Sequence, residues 1–168
     1  MEFDFTSLVG PFSALAAAIS AAIAYQAIRK GAKADHTRSI REVSLLANKV
    51  VAATVRVDDL ANQLKMGYQT LFTFAGQGAG SSRLKLYTGE IEKKQTAIGP
   101  MQQAAQDVLE NGLTQLSDEQ ITKRLLEFDG YLAHLDRIRE KFHVDLASVE
   151  SQNQLYRAKA VNIVGPGT

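Results

Sequence analysis

The chain has 168 residues and a formal net charge of +1, so it lacks the basic excess that nucleic-acid binders use, and we predict no nucleic-acid partner. The absence of Cys excludes disulfides, thiolate metal sites and thiol nucleophiles. A composition with 45% hydrophobic residues, no Trp and only 3 Pro favours an all-α protein.

The first element is an uncharged apolar segment at residues 5–28, which follows a short acidic leader at residues 1–4. Because a helix of about 20 apolar residues crosses a bilayer, the segment predicts a single transmembrane helix. The acidic leader argues against a cleaved signal peptide, and the lack of a charged face argues against a helix that lies in the membrane plane. Burial of the segment inside a soluble helical bundle is the alternative interpretation.

Small residues form one face of this predicted span, while large apolar residues recur three or four positions apart on another face. Rows of small residues let helix backbones approach closely in lipid, where packing drives association. We therefore predict contacts with a second copy of the chain or with another membrane subunit. The residues of this packing face are Ser13, Ala14, Ala17, Ala18, Ala21 and Ala22.

A basic juxtamembrane segment at residues 29–41 follows the apolar one and contains a single acid, Asp35. Its cations are Arg29, Lys30, Lys33, Arg38 and Arg41. Because cationic flanks stay on the cytoplasmic side, we expect the leader to be extracytoplasmic and the bulk of the chain to be cytoplasmic. The same cations are expected to contact membrane lipid through anionic headgroups.

The remaining chain predicts a cytoplasmic helical hairpin or a three-helix, coiled-coil-like bundle at residues 37–160. Its helices are expected at about residues 37–74, 83–111 and 117–160. The first helix repeats an apolar residue every seven positions, at Val43, Val50 and Val57, and a second row follows three positions later, at Leu46, Ala53 and Leu60. The Gly-rich residues 75–82 predict a turn, since neither a preceding strand nor a following Lys-Ser/Thr pair supports a phosphate-binding loop.

Turn and capping residues divide the second half of the bundle. Gly99 and Pro100 predict a kink or two shorter helices, because Pro lacks the backbone donor. Gly112 predicts a helix stop, and Ser117 with Gln120 predicts a capping box that opens the third helix. Residues 161–168 are expected to form a flexible tail.

The third helix carries an apolar seam in alternating steps of four and three residues. The seam residues are Leu125, Phe128, Leu132, Leu135, Phe142, Leu146 and Val149. Two polar residues, Arg139 and Asn153, fall on the same stripe. We expect the Arg139 head to reach water and Asn153 to lie where the helix frays. The seam closes either within the chain or between chains.

The sequence contains little that points to chemistry. Glu140 and His143 have the spacing of a di-iron bundle motif, but a second such pair is missing. We therefore predict neither a metal, a cofactor nor a catalytic site, no small-molecule substrate, and a protein that is not an enzyme.

The layout of leader, span and cytoplasmic helices resembles the b subunit of the ATP-synthase peripheral stalk in topology only, because that family keeps an almost unbroken charged helix. The leading hypothesis is a single-pass membrane-anchored assembly or scaffold subunit of a larger, multi-copy complex. The alternatives are a membrane-perturbing effector or small oligomeric channel, and a soluble helical-bundle accessory protein.

Overall fold

Three long α-helices make up the chain. The structure is a computed structural model that describes the backbone of residues 6–78 and 80–163, and the side chains of residues 24–26, 30, 31, 33–78, 80–113 and 115–159. The helices are α1 (Thr6–Phe74), α2 (Ser82–Asn111) and α3 (Asp118–Ile163), with a short 3-10 helix at Leu113–Gln115. The described residues contain no strand, and the predicted all-α class is confirmed.

The chain divides into two units, Met1–Arg41 and Glu42–Thr168. Helix α1 contributes to both units because it runs from Thr6 to Phe74. Helix α1 therefore includes residues 6–28 of the apolar segment, the basic segment at residues 29–41 and the predicted first helix of the bundle.

Several predictions fall on parts of the chain outside the described residues. These are the leader at residues 1–4, the tail at residues 164–168, and the side chains of Arg29 and of the small-residue face at Ser13, Ala14, Ala17, Ala18, Ala21 and Ala22. Among the residues that were described, no helix contains a stretch long and apolar enough to cross a membrane. The first residues of the predicted tail are helical, since α3 extends to Ile163.

In the second unit, α2 runs antiparallel to α1. The amide of Gln95 donates a hydrogen bond to Asp58 at 2.5 Å, and Lys65 lies 3.5 Å from the carboxylate of Glu92. Residue numbers thus fall along α2 as they rise along α1. The turn at residues 75–81 is long enough to make this reversal.

Helix α3 runs parallel to α1 and completes an up-down-up three-helix bundle. Asn153 donates a hydrogen bond from Nδ2 to the carbonyl oxygen of Gly67 at 3.1 Å. Farther along both helices, the Arg157 guanidinium lies 5.8 Å from the centre of the Phe74 ring. Because α2 separates them in sequence, α1 and α3 point in the same direction, and the predicted bundle packing is confirmed.

The core of this bundle repeats every seven residues in all three helices, as helices packed side by side require. The buried positions of the repeat are Val43, Val50, Val57 and Leu64 in α1, Leu84, Ile91, Ile98 and Ala105 in α2, and Ile121, Phe128, Leu135, Phe142 and Val149 in α3. Leu125, Leu132 and Leu146 are half-buried beside them. The seam therefore closes within one chain.

The second buried row of α1 differs from the predicted one. Ala47, Thr54 and Ala61 are almost fully buried, whereas Leu46, Ala53 and Leu60 are half-buried. The reason is that α1 packs against both α2 and α3. The small side chains of Ala47, Thr54 and Ala61, four positions after the valines, let the neighbouring helices approach α1 closely. In α3, likewise, Ile138 is buried, while Arg139 is exposed and lies 3.2 Å from Asp136.

Helix α1 ends in a Schellman motif. The amide of Gly76 donates to the carbonyl of Thr73 at 3.1 Å, and that of Gln77 donates to Phe72 at 2.9 Å. Gly76 has a φ of +69°, a conformation that L-residues rarely adopt. This motif ends the helix at the start of the Gly-rich stretch.

The starts of α2 and α3 are both capped by serine. The Ser81 hydroxyl accepts a hydrogen bond from the Leu84 amide. At α3 both bonds of the predicted capping box are present, from the Gln120 amide to Ser117 Oγ and from the Ser117 amide to Gln120 Oε1. Helix α2 is not divided at Pro100, which lacks the backbone donor, and Ile98 and Ala105 on either side of it are buried in the core.

Candidate functional site

The described cations of the basic segment occupy one side of α1. Lys30, Lys33, Arg38 and Arg41 are all exposed, and their helical positions fall within one arc. Asp35, the single acid of the segment, falls outside that arc. None of the four cations forms an ion pair with another residue that the structure describes. The segment therefore presents an uncompensated basic face.

The contact between α1 and α3 includes a buried polar side chain. Asn153 is only 8% exposed, so it lies in the core and not at a frayed helix end, contrary to the prediction. Its Nδ2 is bonded to Gly67, while its Oδ1 is buried without a hydrogen-bond partner. Gly67 permits the approach, because a Cβ at this position would lie 3.0 Å from Val149 Cγ1.

An aromatic cluster lies between the helices near the Gly-rich turn. The rings of Tyr68 and Tyr87 stack with their centres 4.7 Å apart and their planes 13° apart. Phe72 packs against Tyr87 at 6.1 Å in a tilted arrangement. A groove of about 520 Å³ runs along this cluster and includes Arg83 and Gln152 at its rim.

A second groove, which we call the lysine groove, begins at the same tyrosines and has a volume of about 270 Å³. Its polar residues are Tyr68, Tyr87, Glu90, Lys94, Lys141 and Asp145, and its apolar surface comes from Leu64, Ile91 and Phe142. All three helices contribute. Six of its nine lining residues have titratable side chains.

The two lysines of this groove influence each other. The Lys94 ammonium lies 5.2 Å from the centre of the Phe142 ring, in a cation–π contact. Partial burial lowers the pKa of Lys94, and the neighbouring charge of Lys141 lowers it further. Asp145 and Glu90 partly offset these effects. The arrangement places two ammonium groups within reach of a common ligand.

The acids of the groove are differently placed. The Glu90 carboxylate accepts a hydrogen bond from Lys93 at 2.9 Å, and this bond holds the pKa of Glu90 below its usual value. Asp145 lies near Tyr68, where burial raises the pKa of the phenol and the Asp145 charge raises it further. Both acids line the groove, and the charges of Lys94 and Lys141 also contribute to the lowered pKa of Glu90.

No sequence pattern pointed to the lysine groove. Lys94 and Lys141 are adjacent to core positions of two different helices, and only the bundle brings them together. Phe142 was predicted as a seam residue, but its contact with a lysine was not. A heptad pattern predicts which residues are buried and contains no information on which flanking charges meet across a groove.

The described residues contain no group of three or more His, Asp or Glu side chains arranged to hold a metal ion. Glu140 and His143 are both exposed on α3. His143 lines an open groove together with Arg56, Asp59 and Arg139.

Comparison of the chain with protein families, with curated proteins and with solved structures finds no match. The functional interpretation therefore rests on its own residues.

Proposed function

We propose that this chain is a single-pass membrane-anchored subunit whose three-helix bundle is an assembly or scaffold module of a larger, multi-copy membrane complex. The observation that carries the proposal is the exposed basic face of α1, which directly follows the uncharged residues 5–28. An apolar helix followed by cations is the arrangement that anchors a helix with its carboxyl side in the cytoplasm.

The basic face adds to membrane attachment. Each Lys or Arg held near an anionic surface contributes about 1 kcal/mol, and Lys30, Lys33, Arg38 and Arg41 have no internal ion-pair partner among the described residues. Their charges therefore remain available for lipid headgroups. The anchor and the basic face act together in this proposal.

The bundle supports a structural role. Its seam residues are buried within the chain, so they do not mediate contacts between copies. We therefore assign contacts between copies to the small-residue face of the anchor, which includes Ala17 and Ala21. The bundle then presents its outer surface to other subunits.

The first test is cell fractionation with two matched lysine substitutions. We expect the unaltered chain to sediment with the membrane pellet. It should resist alkaline extraction and be released by mild detergent. Ile19→Lys places a charge at the centre of the span, at a cost of about 2.5–3.5 kcal/mol, and should shift the protein towards the supernatant. Leu45→Lys is the control, because Leu45 is 57% exposed in the bundle. An unaltered chain that remains soluble without detergent contradicts the proposal.

Orientation is tested in the same cells because the chain contains no Cys. Single cysteines at Glu2 and at the exposed Ser151 give unambiguous labelling sites. A membrane-impermeant maleimide should label Glu2→Cys in intact cells and Ser151→Cys only after lysis. The opposite pattern refutes the proposed orientation.

A further inference from the structure

The lysine groove holds two ammonium groups side by side, and a third, that of Lys93, is bonded to Glu90 next to them. Lys94 and Lys141 line the same volume of about 270 Å³, together with the carboxylates of Glu90 and Asp145. Three ammonium groups are thus balanced by only two carboxylates, and the charge of Lys141 still lowers the pKa of Lys94. Such a pair is stabilised by a ligand that brings additional negative charge between the lysines.

The surroundings of the lysines favour an anion with an attached organic group. Phe142 and Ile91 supply apolar contact next to the charges, and the stacked rings of Tyr68 and Tyr87 form one end of the groove. Phenol hydroxyls donate hydrogen bonds to anionic oxygens. Lysine ammonium groups bind phosphate as point charges, and two of them match the charge of a dianion.

We propose that the lysine groove binds a phosphate monoester dianion, with its phosphate oxygens held by Lys94 and Lys141 and its organic group beside the Tyr68–Tyr87 pair. Asp145 faces the same ligand and opposes its charge. The phosphate monoester belongs either to a soluble metabolite or to the headgroup of phosphatidic acid. This proposal is independent of the anchor, since every residue of the groove belongs to the bundle.

The test is calorimetric titration of the full chain, in mild non-ionic detergent, with phenyl phosphate at a pH above its second pKa of about 6. Saturable binding is expected. Phenyl sulfate has the same ring and a single charge, and it should bind at least about tenfold more weakly. Equal affinity for phenyl phosphate and phenyl sulfate overturns the proposal. So does a result in which neither phenyl phosphate nor phosphatidic acid shows saturable binding.

Four variants locate the site. Lys94→Gln and Lys141→Gln should each weaken binding about tenfold or more, because a hydrogen bond to a charged group is lost. Asp145→Asn should strengthen it, because a repelling charge is removed. Lys123→Gln is the control, since Lys123 is exposed and lies outside the groove. The affinity of this variant for phenyl phosphate should stay within about twofold of that of the unaltered chain. Affinity unchanged in both groove-lysine variants, with helicity intact by circular dichroism, refutes the assignment.

A second arm identifies the source of the phosphate. The same titration is repeated with zwitterionic detergent micelles that contain phosphatidic acid. Binding of phenyl phosphate in solution supports a soluble ligand. Binding of phosphatidic acid alone, lost in Lys94→Gln and Lys141→Gln, supports a lipid headgroup at the same site. The basic face of α1 can also bind phosphatidic acid, so lipid binding that both variants retain is assigned to that face. It contradicts the groove site when phenyl phosphate does not bind either.

Discussion

A single buried amide fixes how α1 and α3 meet. Asn153 reaches the carbonyl oxygen of Gly67 from inside the core, and its Oδ1 has no partner there. Burial of an unpaired acceptor costs about 1–3 kcal/mol. A shift of one helix by a turn would place Gln63 or Leu71, which have side chains, opposite Asn153 in place of Gly67. The residue thus lowers stability and disfavours other registers.

Gly67 is the partner that makes this contact possible, and its substitution tests the close approach of the helices. Gly67→Leu should lower the free energy of unfolding by about 1–3 kcal/mol, because its Cβ would press on Val149 at 3.0 Å. Gly130→Ala is the matched control: its Cβ meets nothing within 4 Å, so the gain in helix propensity should stabilise the chain by about 0.5–1 kcal/mol. Urea denaturation followed by circular dichroism measures both. A neutral Gly67→Leu variant would show that the helices are farther apart.

At the scale of elements, local sequence signals account for the helix ends. The glycine in the αL conformation, the capping box of α3 and the serine cap of α2 each use residues next to the boundary. Such bonds depend on neighbours within about five positions, so a sequence pattern is sufficient to predict them. Pro100 is different, because α2 continues through it, with Ile98 and Ala105 buried in the core on either side.

The Schellman motif at the end of α1 depends on the left-handed conformation of Gly76. Gly76→Ala should destabilise the chain by about 1–2 kcal/mol, since an L-residue is strained at a φ of +69°. Gly78→Ala should change stability by less than about 0.5 kcal/mol, because Gly78 has ordinary φ and open space around its Cβ position. Thermal and urea denaturation compare the two. Equal effects of both substitutions would indicate that general turn flexibility, and not the αL conformation, matters here.

At the scale of the whole molecule, the core of the bundle determines its stability. Phe128→Ala should cost about 3–5 kcal/mol, since Phe128 is 0% exposed and its removal leaves a cavity. Leu126→Ala, two positions away and 71% exposed, should change stability by less than about 0.5 kcal/mol. The difference in urea midpoint between the two variants is the measurement. A similar loss for both would mean that the face with Leu126 is covered by another chain.

The seven-residue repeat made much of this core predictable. Val43, Val50 and Val57 are buried as their spacing suggested, and so are Phe128, Leu135, Phe142 and Val149. Leu46 is half-buried instead of fully buried, because a helix between two neighbours buries a wider face than a two-stranded pattern assumes. The Arg139 side chain is exposed, as expected. The prediction that Asn153 lies at a frayed helix end was also wrong, because α3 still packs on α1 at Asn153, where its side chain bonds to Gly67.

The helical class, the turn positions, the caps and the heptad faces could all be predicted from the amino-acid sequence, because each depends on residues close together in the chain. Three other features became visible only in the folded chain: the seams close within one chain, α1 and α3 lie parallel, and Lys94 and Lys141 share a groove. These features depend on contacts between residues far apart in sequence. Periodicity determines which face of a helix is buried, and packing decides which residues that face meets.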